Sequence, residues 1–209
     1  MVEILCFGDS NTWGYSPGSR ERYPRDIRWT GVLQAALGGG FRIIEEGLNG
    51  RTTVWDDPIE GDRNGRRQLP ALLESHAPLD LVVLMLGTND LKKRFSAPGS
   101  DIARGVERLV GIIRASASGR GGKPPKVLLM APPPLARLTE LAEMFEGGTE
   151  KSRQLGKLYA AVAAEQGCAF LDTGRVIRSS DLDGIHFEEK DHTALGEAVA
   201  AEVRRIAGS

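Results

Sequence analysis

The sequence has little of several residue types, and each scarcity narrows the kind of protein it can encode. Two cysteines and three histidines in 209 residues show neither a disulfide framework nor the spacing of metal ligands. The apolar run Leu81–Leu86 has the length of a strand, and no apolar run in the sequence approaches the length that spans a membrane. The N-terminus carries no cationic segment, so we expect no signal peptide and a cytoplasmic protein with two reduced thiols.

An excess of charge of either sign is also missing, since the chain has 27 Lys and Arg residues and 28 Asp and Glu residues. The charges are spread along the chain and form no basic stripe that would attract nucleic acid or an anionic membrane surface. We therefore expect neither partner. The hydrophobic fraction of 41% supplies one substantial core at this length, so residues 1–209 are predicted to form a single domain.

Apolar runs of strand length alternate with segments of helical periodicity along the whole chain. Five strands are predicted, at Val2–Phe7, Phe41–Ile44, Leu81–Leu86, Val127–Met130 and Ala169–Leu171. Five helices are predicted around Trp29–Leu37, Leu69–Leu73, Ile102–Ile113, Leu155–Val162 and Leu195–Ile206. This alternation predicts an α/β protein, a three-layer α/β/α sandwich with a mostly parallel five-stranded sheet.

Small and hydrogen-bonding residues follow three successive predicted strands, in the segments Gly8–Thr12, Gly47–Thr52 and Gly87–Asp90. Ligands bind outside the carboxyl ends of parallel strands, so these segments are expected to share one edge of the sheet. Each alone has a plain structural explanation, with Ser10 as a helix cap and Asn89 in an Asx-turn. Their coincidence at three strand ends favours a functional site.

A base for Ser10 is present near the C-terminus, where Asp183-Gly184-Ile185-His186 places a carboxylate and an imidazole three residues apart. A turn of that length can hold the carboxylate against one ring nitrogen while the other nitrogen faces a serine, as Ser-His-Asp catalysis requires. The alternative for His186 is a histidine in a surface loop. His76 lies at a helix end, and His192 is expected to be exposed at the start of the last helix, so both are weaker candidates.

Together these motifs resemble those of the GDSL/SGNH hydrolases, over the chain from Gly8 to His186. The four blocks of that family appear in order, as Gly8-Asp9-Ser10, the Gly50 turn, Gly87-Thr88-Asn89-Asp90 and Asp183-Gly184-Ile185-His186. The resemblance implies a flavodoxin-like SGNH hydrolase fold and a serine esterase that needs no cofactor and no metal. It implies Ser10 as nucleophile, His186 as base and Asp183 as the carboxylate that orients the base.

The same resemblance implies an oxyanion hole, formed by the backbone N–H groups of Ser10 and Gly50 and the side-chain amide of Asn89. Longer strings are similar to a subgroup of bacterial arylesterases that also act as acyltransferases and are often oligomeric. These strings are Gly8–Gly14, Met85–Asp90, Pro132–Leu135, Phe145–Gly148 and Asp183–Phe187. The likeness implies a small-molecule ester as substrate, with short acyl groups hydrolysed or transferred through an acyl-enzyme on Ser10.

Trp13 and Ile185 lie close in sequence to the serine and the histidine, and we expect them to bind the substrate as walls of a pocket for short acyl groups. The alternative is that both side chains pack only into the core. Three segments, 16–28, 53–67 and 135–148, are longer than a simple crossover needs. Each carries a large apolar residue in a polar context (Tyr23, Trp55 and Phe145), so each segment can be a lid, a wall of the pocket or a subunit contact. We expect these residues to be contacts of a homo-oligomer. The acidic pair Asp56-Asp57 is expected to be solvated loop charge rather than a pair of catalytic acids.

Other function classes share part of this pattern. An SGNH deacetylase of an acetylated carbohydrate or other metabolite would use the same residues. A catalytically silent α/β domain that binds a small acyl ligand predicts the loss of at least one motif, and none is lost. A flavodoxin-like nucleotide binder requires a phosphate-binding glycine loop, whereas Gly121-Gly122-Lys123 is followed by proline instead of Ser or Thr. The chain also lacks the G-x-S-x-G motif of ordinary α/β-hydrolases.

Overall fold

The computed structural model describes residues 1–208, in which five strands alternate with six helices. The strands are β1 (Val2–Gly8), β2 (Phe41–Gly47), β3 (Leu81–Met85), β4 (Lys126–Ala131) and β5 (Ala169–Asp172). The helices are α1 (Ser10–Trp13), α2 (Trp29–Leu37), α3 (Gly65–Ser75), α4 (Gly99–Ala115), α5 (Gly148–Gln166) and α6 (Glu189–Ala207). Each predicted strand and helix coincides with one of these elements, and only the short helix α1 has no predicted counterpart.

The five strands form one parallel sheet in the order β2-β1-β3-β4-β5, which confirms the predicted fold class. The chain moves outward from β1 to β2 and then crosses back to β3 on the other side of β1. Such a reversal leaves a crevice at the carboxyl ends of the neighbouring strands, where α/β proteins bind ligands. Gly8 of β1 is in register with both Gly47 and Met85, so the three loops that follow these strands begin at one level.

Helices cover both faces of the sheet and bury two hydrophobic clusters. Helices α3, α4 and α5 pack on the face that carries Leu5 and Phe7, whereas α2 and α6 pack on the face that carries Ile4 and Cys6. Neighbouring residues of a strand point to opposite faces, so a strand buried on both sides is apolar at every position. This explains why β1 and β3 have no polar alternation in the sequence.

Both cysteines are free, as the sequence predicts, with Cys6 buried and Cys168 only half-buried. Burial raises the pKa of each thiol above its usual range, so neither is a reactive thiolate at neutral pH. Within residues 1–208, no helix combines the length and the hydrophobicity that a membrane span requires.

The aromatic residues of the three long segments are largely used inside the chain. Phe145 is only 3% exposed and belongs to the cluster that contains Leu5, and Trp55 packs against the same cluster. The ring of Tyr23 contacts the ring of His192 edge-on, with 5.3 Å between the centroids. The expectation that Phe145 serves as a subunit contact does not hold, because its ring is already buried. Homo-oligomerisation itself stays a prediction.

Candidate active site

The first strand and the first turn of α1 fix the position of Ser10. The side chain of Asp9 caps α1 by accepting the backbone N–H of Asn11 at 3.0 Å, which holds Ser10 at the very start of the helix. Strand β2 approaches this helix closely at Gly47, where a Cβ atom would lie 2.1 Å from the backbone nitrogen of Trp13. A glycine is therefore required at this position for Ser10 to sit at the sheet edge.

His186 connects Ser10 to Asp183 through two hydrogen bonds. Its Nε2 lies 2.9 Å from Ser10 Oγ, and its Nδ1 lies 2.6 Å from Asp183 Oδ2. Asp183 Oδ1 accepts the backbone N–H groups of Ile185 and His186, each at 2.9 Å, so the turn fixes the carboxylate. A carboxylate at Nδ1 selects the tautomer that carries its proton on Nδ1, which leaves the lone pair of Nε2 facing the serine.

The surroundings keep the Asp183 carboxylate ionised. Burial alone raises its pKa, but the hydrogen bond and charge of His186 and the two backbone N–H groups outweigh burial and bring the pKa below its usual range. Tyr15 lies against the His186 ring, with 4.2 Å between the centroids. Asn11 Nδ2 donates to the carbonyl of Ile185 at 3.3 Å and so ties α1 to the histidine loop. Asp183 and Tyr15 thus hold the ring itself, and Asn11 holds the loop that carries it.

The residues predicted as oxyanion donors line one cavity with Ser10. Asn89 Nδ2 donates one N–H to the carbonyl of Arg51 at 3.1 Å, which orients the amide and leaves its second N–H for a ligand. Gly50 has a φ of 79°, a left-handed conformation that favours glycine. Its N–H has no hydrogen-bond acceptor among residues 1–208. The geometry thus brings Gly50 and Asn89 to the nucleophile.

A buried polar network holds the loops of this site together. Arg51 Nη1 donates to the carbonyl of Gly8 at 2.7 Å and also to the carbonyl of Glu46. Asp90 accepts the backbone N–H of Thr53 at 3.1 Å on each oxygen, together with the Thr53 hydroxyl. The segment that carries Gly50 is therefore fixed on both sides. Arg51 and Asp90 belong to the segments expected at the sheet edge, but the sequence assigned no role to them or to Thr53, because no local pattern indicates contacts between residues so far apart in the chain.

The cavity has a volume of about 220 Å³. Ile185 lines it, as predicted, together with the side chains Tyr15, Leu141, Met144 and Phe145. Trp13 does not line it: its ring lies beneath the guanidinium of Arg22, at 5.0 Å from the centroid, and its carbonyl accepts Arg22 Nε at 2.8 Å. The structure thus places Ile185 in the cavity wall and Trp13 against Arg22, outside the cavity.

The same cavity has a charged wall that contains Glu60 and Lys92. Beside it lies Asp57, whose side chain is completely buried between Lys92 Nζ at 3.7 Å and Arg94 Nη1 at 3.1 Å. The expectation that Asp57 is solvated loop charge is therefore wrong. Two cations from a later loop, which the local sequence does not reveal, compensate its negative charge.

The other two histidines lie away from Ser10. His192 is fully buried in the first turn of α6, where its Nδ1 accepts the backbone N–H of Trp29 at 3.2 Å. The expectation of an exposed His192 is wrong, because this turn packs against α2. Burial lowers the pKa of His192 to about 4, which keeps the ring neutral. His76 Nε2 lies 2.8 Å from a carboxylate oxygen of Glu46.

Cavity size alone does not select this site. A larger cavity of about 560 Å³ lies where β4 and β5 begin, at the opposite edge of the sheet, and Arg114, Lys126 and Cys168 are among its walls. The Cys168 thiol has a raised pKa, and no histidine of residues 1–208 lines this cavity, so the described part of its wall holds no activated nucleophile.

In this parallel α/β fold, hydrogen bonds join a serine, a histidine and an aspartate at the carboxyl ends of the strands, where the strand order reverses. This is the arrangement of a serine hydrolase. The sequence model of the GDSL-like lipase/acylhydrolase family matches residues 6–194, so the chain belongs to that family. This confirms the resemblance to the SGNH hydrolases that the four motifs carry.

Solved structures share the fold over nearly the whole chain. The aryl esterase of M. smegmatis is 46% identical with a TM-score of 0.95, over 98% of this chain and 99% of that one. A carbohydrate acetylesterase from Sinorhizobium meliloti is 45% identical with a TM-score of 0.96, over 99% and 100% of the two chains. An acetylxylan esterase from Xylanibacter ruminicola is 25% identical over 97% of this chain, which spans only 43% of that protein's length.

Proposed function

We propose that this chain is a serine esterase that cleaves short acyl groups from carboxylic esters through an acyl-enzyme on Ser10. The observation that carries the proposal is the hydrogen-bond chain from Ser10 Oγ through His186 to Asp183, with distances of 2.9 Å and 2.6 Å. Membership of an acylhydrolase family and the similarity to esterases support the same reaction class.

In the first half-reaction, Ser10 Oγ attacks the ester carbonyl carbon while His186 Nε2 takes the hydroxyl proton. The carbonyl oxygen becomes an anion, and the N–H groups of Ser10, Gly50 and Asn89 are the donors proposed to stabilise it. Asp183 stabilises the imidazolium that has formed. The imidazolium then gives its proton to the leaving alcohol oxygen as the carbon–oxygen bond breaks, and the acyl group stays on Ser10.

In the second half-reaction, a water molecule attacks the acyl carbon and His186 Nε2 takes a proton from it. The same donors stabilise the second oxyanion. Collapse of this intermediate releases the carboxylic acid, and Ser10 recovers its proton from His186. An alcohol that attacks in place of water gives acyl transfer by the same steps.

The cavity favours small substrates. Its volume of about 220 Å³ is below the roughly 300–1,000 Å³ typical of pockets for drug-sized ligands. Apolar side chains of Leu141, Phe145 and Ile185 close one side and limit the length of the acyl group. We therefore propose acetyl to butyryl esters as substrates. Acetylated carbohydrates belong to this size class, and the similarity to a carbohydrate acetylesterase supports them as candidates.

The test is the reaction of the purified protein with a fluorophosphonate probe and with p-nitrophenyl acetate, without any added cofactor. We expect one covalent label on Ser10 and none in Ser10→Ala, which loses nearly all turnover. The control is Ser118→Ala, because Ser118 is also buried but lies between α4 and β4, next to the bridge between Leu79 and Gly119. Wild-type turnover in Ser10→Ala would contradict the proposal.

We also propose that the chain forms a homo-oligomer in which a neighbouring subunit narrows the cavity entrance. Support comes from Ile59 and Leu182, which are 76% and 58% exposed and lie next in sequence to the cavity residues Glu60 and Asp183. Light scattering at micromolar concentrations is expected to give a multiple of the 22.6 kDa chain mass. A monomer mass across that range would contradict it.

A further inference from the structure

The wall of the active-site cavity has two chemically different sides. One side is apolar and is formed by Leu141, Met144, Phe145 and Ile185. The other side is polar and includes Asn49, Glu60 and Lys92. The acyl-transfer steps proposed above use Ser10, His186, Asp183 and the oxyanion donors, and they leave Glu60 and Lys92 without a role.

Lys92 and Glu60 belong to a balanced cluster of charges that is largely withdrawn from solvent. The Lys92 side chain is 3% exposed and its Nζ contacts Glu60 Oε1 within hydrogen-bond distance. Arg94 contacts both Glu60 Oε1, at 3.3 Å, and the buried Asp57, at 3.1 Å. Asp57 also accepts the backbone N–H groups of Ile59 and Glu60 at 2.9 Å and 3.0 Å. Two positive and two negative charges thus cancel, and such pairing is what makes buried charge tolerable.

Both members of the pair keep unused hydrogen-bonding capacity. An ammonium group has three donors, and among residues 1–208 Lys92 Nζ makes one hydrogen bond, to Glu60 Oε1. Glu60 Oε2 accepts none within the same residues. Oε2 faces the backbone of Gly50 so closely that a Cβ atom there would lie 2.2 Å from it. A free acceptor therefore stands beside one of the proposed oxyanion donors, and the ammonium bonded to the same carboxylate keeps free donors.

We propose that Lys92 and Glu60 form a hydroxyl subsite that selects acetyl esters of polyols or sugars with free hydroxyl groups. A hydroxyl both donates and accepts, so it can accept from the Lys92 ammonium and donate to Glu60 Oε2. An alkyl chain or an aryl ring in the same place would strip water from both charged groups and give them no partner, which is unfavourable. The apolar side then faces the acetyl methyl group. This inference rests on the proposed esterase function.

The test compares two acetates of nearly the same shape, glycerol 1-monoacetate and 2-methylbutyl acetate, in which methyl groups replace the two hydroxyls. Acid release in a pH-stat gives kcat/KM for each. For the wild type we expect a preference for the glycerol ester of about tenfold to a hundredfold, the scale of discrimination by a site built to bind a hydroxyl. In Lys92→Met/Glu60→Gln, which removes one charge of each sign, the preference should fall below about threefold.

The matched control is Lys93→Met/Glu146→Gln. It makes the same chemical change in a neighbouring pair whose side chains are 60% and 63% exposed. This control should keep the wild-type preference. Glu60→Gln alone preserves the shape of a half-exposed side chain, and it should lose most of the preference even where the double variant does not fold.

The outcomes separate the two proposals. A wild type that hydrolyses both acetates with equal kcat/KM overturns the hydroxyl subsite, and so does an undiminished preference in Glu60→Gln. A wild type that hydrolyses no ester and takes no fluorophosphonate label on Ser10 overturns the esterase function itself. A loss of preference in the Lys93 and Glu146 control equal to that in the cavity variant also overturns the subsite, because the effect would then not depend on position.

Discussion

Replacement of Asp183 by asparagine should convert His186 from a base into a hydrogen-bond donor. In the native turn, Asp183 Oδ1 accepts two backbone N–H groups, from Ile185 and His186, while Oδ2 faces His186 Nδ1 at 2.6 Å. An asparagine has one oxygen, and the two backbone donors will retain it. The amide NH₂ group must then face Nδ1, and a donor in that position selects the tautomer with its proton on Nε2.

The size of the effect follows from that tautomer. A proton on Nε2 points at Ser10 Oγ, so the imidazole cannot accept the serine proton when the hydroxyl attacks. We expect kcat to fall by roughly 10³–10⁴, which is about 4–5 kcal/mol of transition-state stabilisation, as for the same change in a serine protease. Stability should change little, because both backbone hydrogen bonds of the turn remain.

The assay is kcat on p-nitrophenyl acetate, with the rate of fluorophosphonate labelling of Ser10 as a second readout. Nitrogen-15 NMR of the imidazole identifies the tautomer directly. Asp181→Asn is the matched control, since Asp181 is exposed two residues earlier and, within residues 1–208, its carboxylate accepts only the backbone N–H of Arg137. A loss in Asp183→Asn of less than tenfold, or an imidazole that keeps its proton on Nδ1, would refute the reasoning.

Three further predictions concern other parts of the site. Asn89→Ala should lower kcat by roughly 10²–10³, the scale of one oxyanion donor, while Ser10 can still be labelled. Gly47→Ala should fail to fold or lose more than about 3 kcal/mol of stability by urea denaturation, because its methyl group would lie 2.1 Å from the Trp13 nitrogen. The pKa of His192 is about 4 in the folded chain and about 6.5 in the unfolded chain, so between pH 7 and 5 only the unfolded state binds the proton. This residue should therefore lower the free energy of unfolding by about 2 kcal/mol as the pH falls from 7 to 5. His192→Gln should remove that part of the acid sensitivity, which urea melts at the two pH values will measure.

The fold and the core of the site could be predicted because their signals are local. Apolar runs of strand length predict the strands of the sheet. The residues that follow these strands lie together, because parallel strands all end at the same edge. Asp183 and His186 are three residues apart, so the turn that joins them is also encoded locally. Ser10 and His186 are 176 residues apart, and no local pattern joins them. The sequence predicts the pair because a serine nucleophile needs a base and His186 is the histidine with a carboxylate three residues away, and because the motifs resemble those of a known family.

The errors share a different cause, because burial of a side chain depends on segments that are distant in sequence. Asp57 is buried by Lys92 and Arg94, which lie 35 or more positions later, and no local sequence pattern indicates that pairing. His192 is buried because α6 packs on α2 with its first turn inward. Phe145 looks like an exposed aromatic residue of a polar loop, yet the loop folds its ring into the core.

The site also explains why the fold retains buried acids that weaken it. Burial raises the pKa of Asp9 and of Asp90 to about 6, so the folded chain binds protons between pH 4 and 6 that the unfolded chain releases. Each ionised carboxylate therefore lowers the free energy of unfolding by up to about 3 kcal/mol above pH 6, and this loss disappears as the pH falls toward 4. In return, Asp9 holds the N–H of Asn11 behind the nucleophile and Asp90 holds Thr53 beside the oxyanion donors. Geometry at the sheet edge, rather than stability, accounts for the presence of these carboxylates.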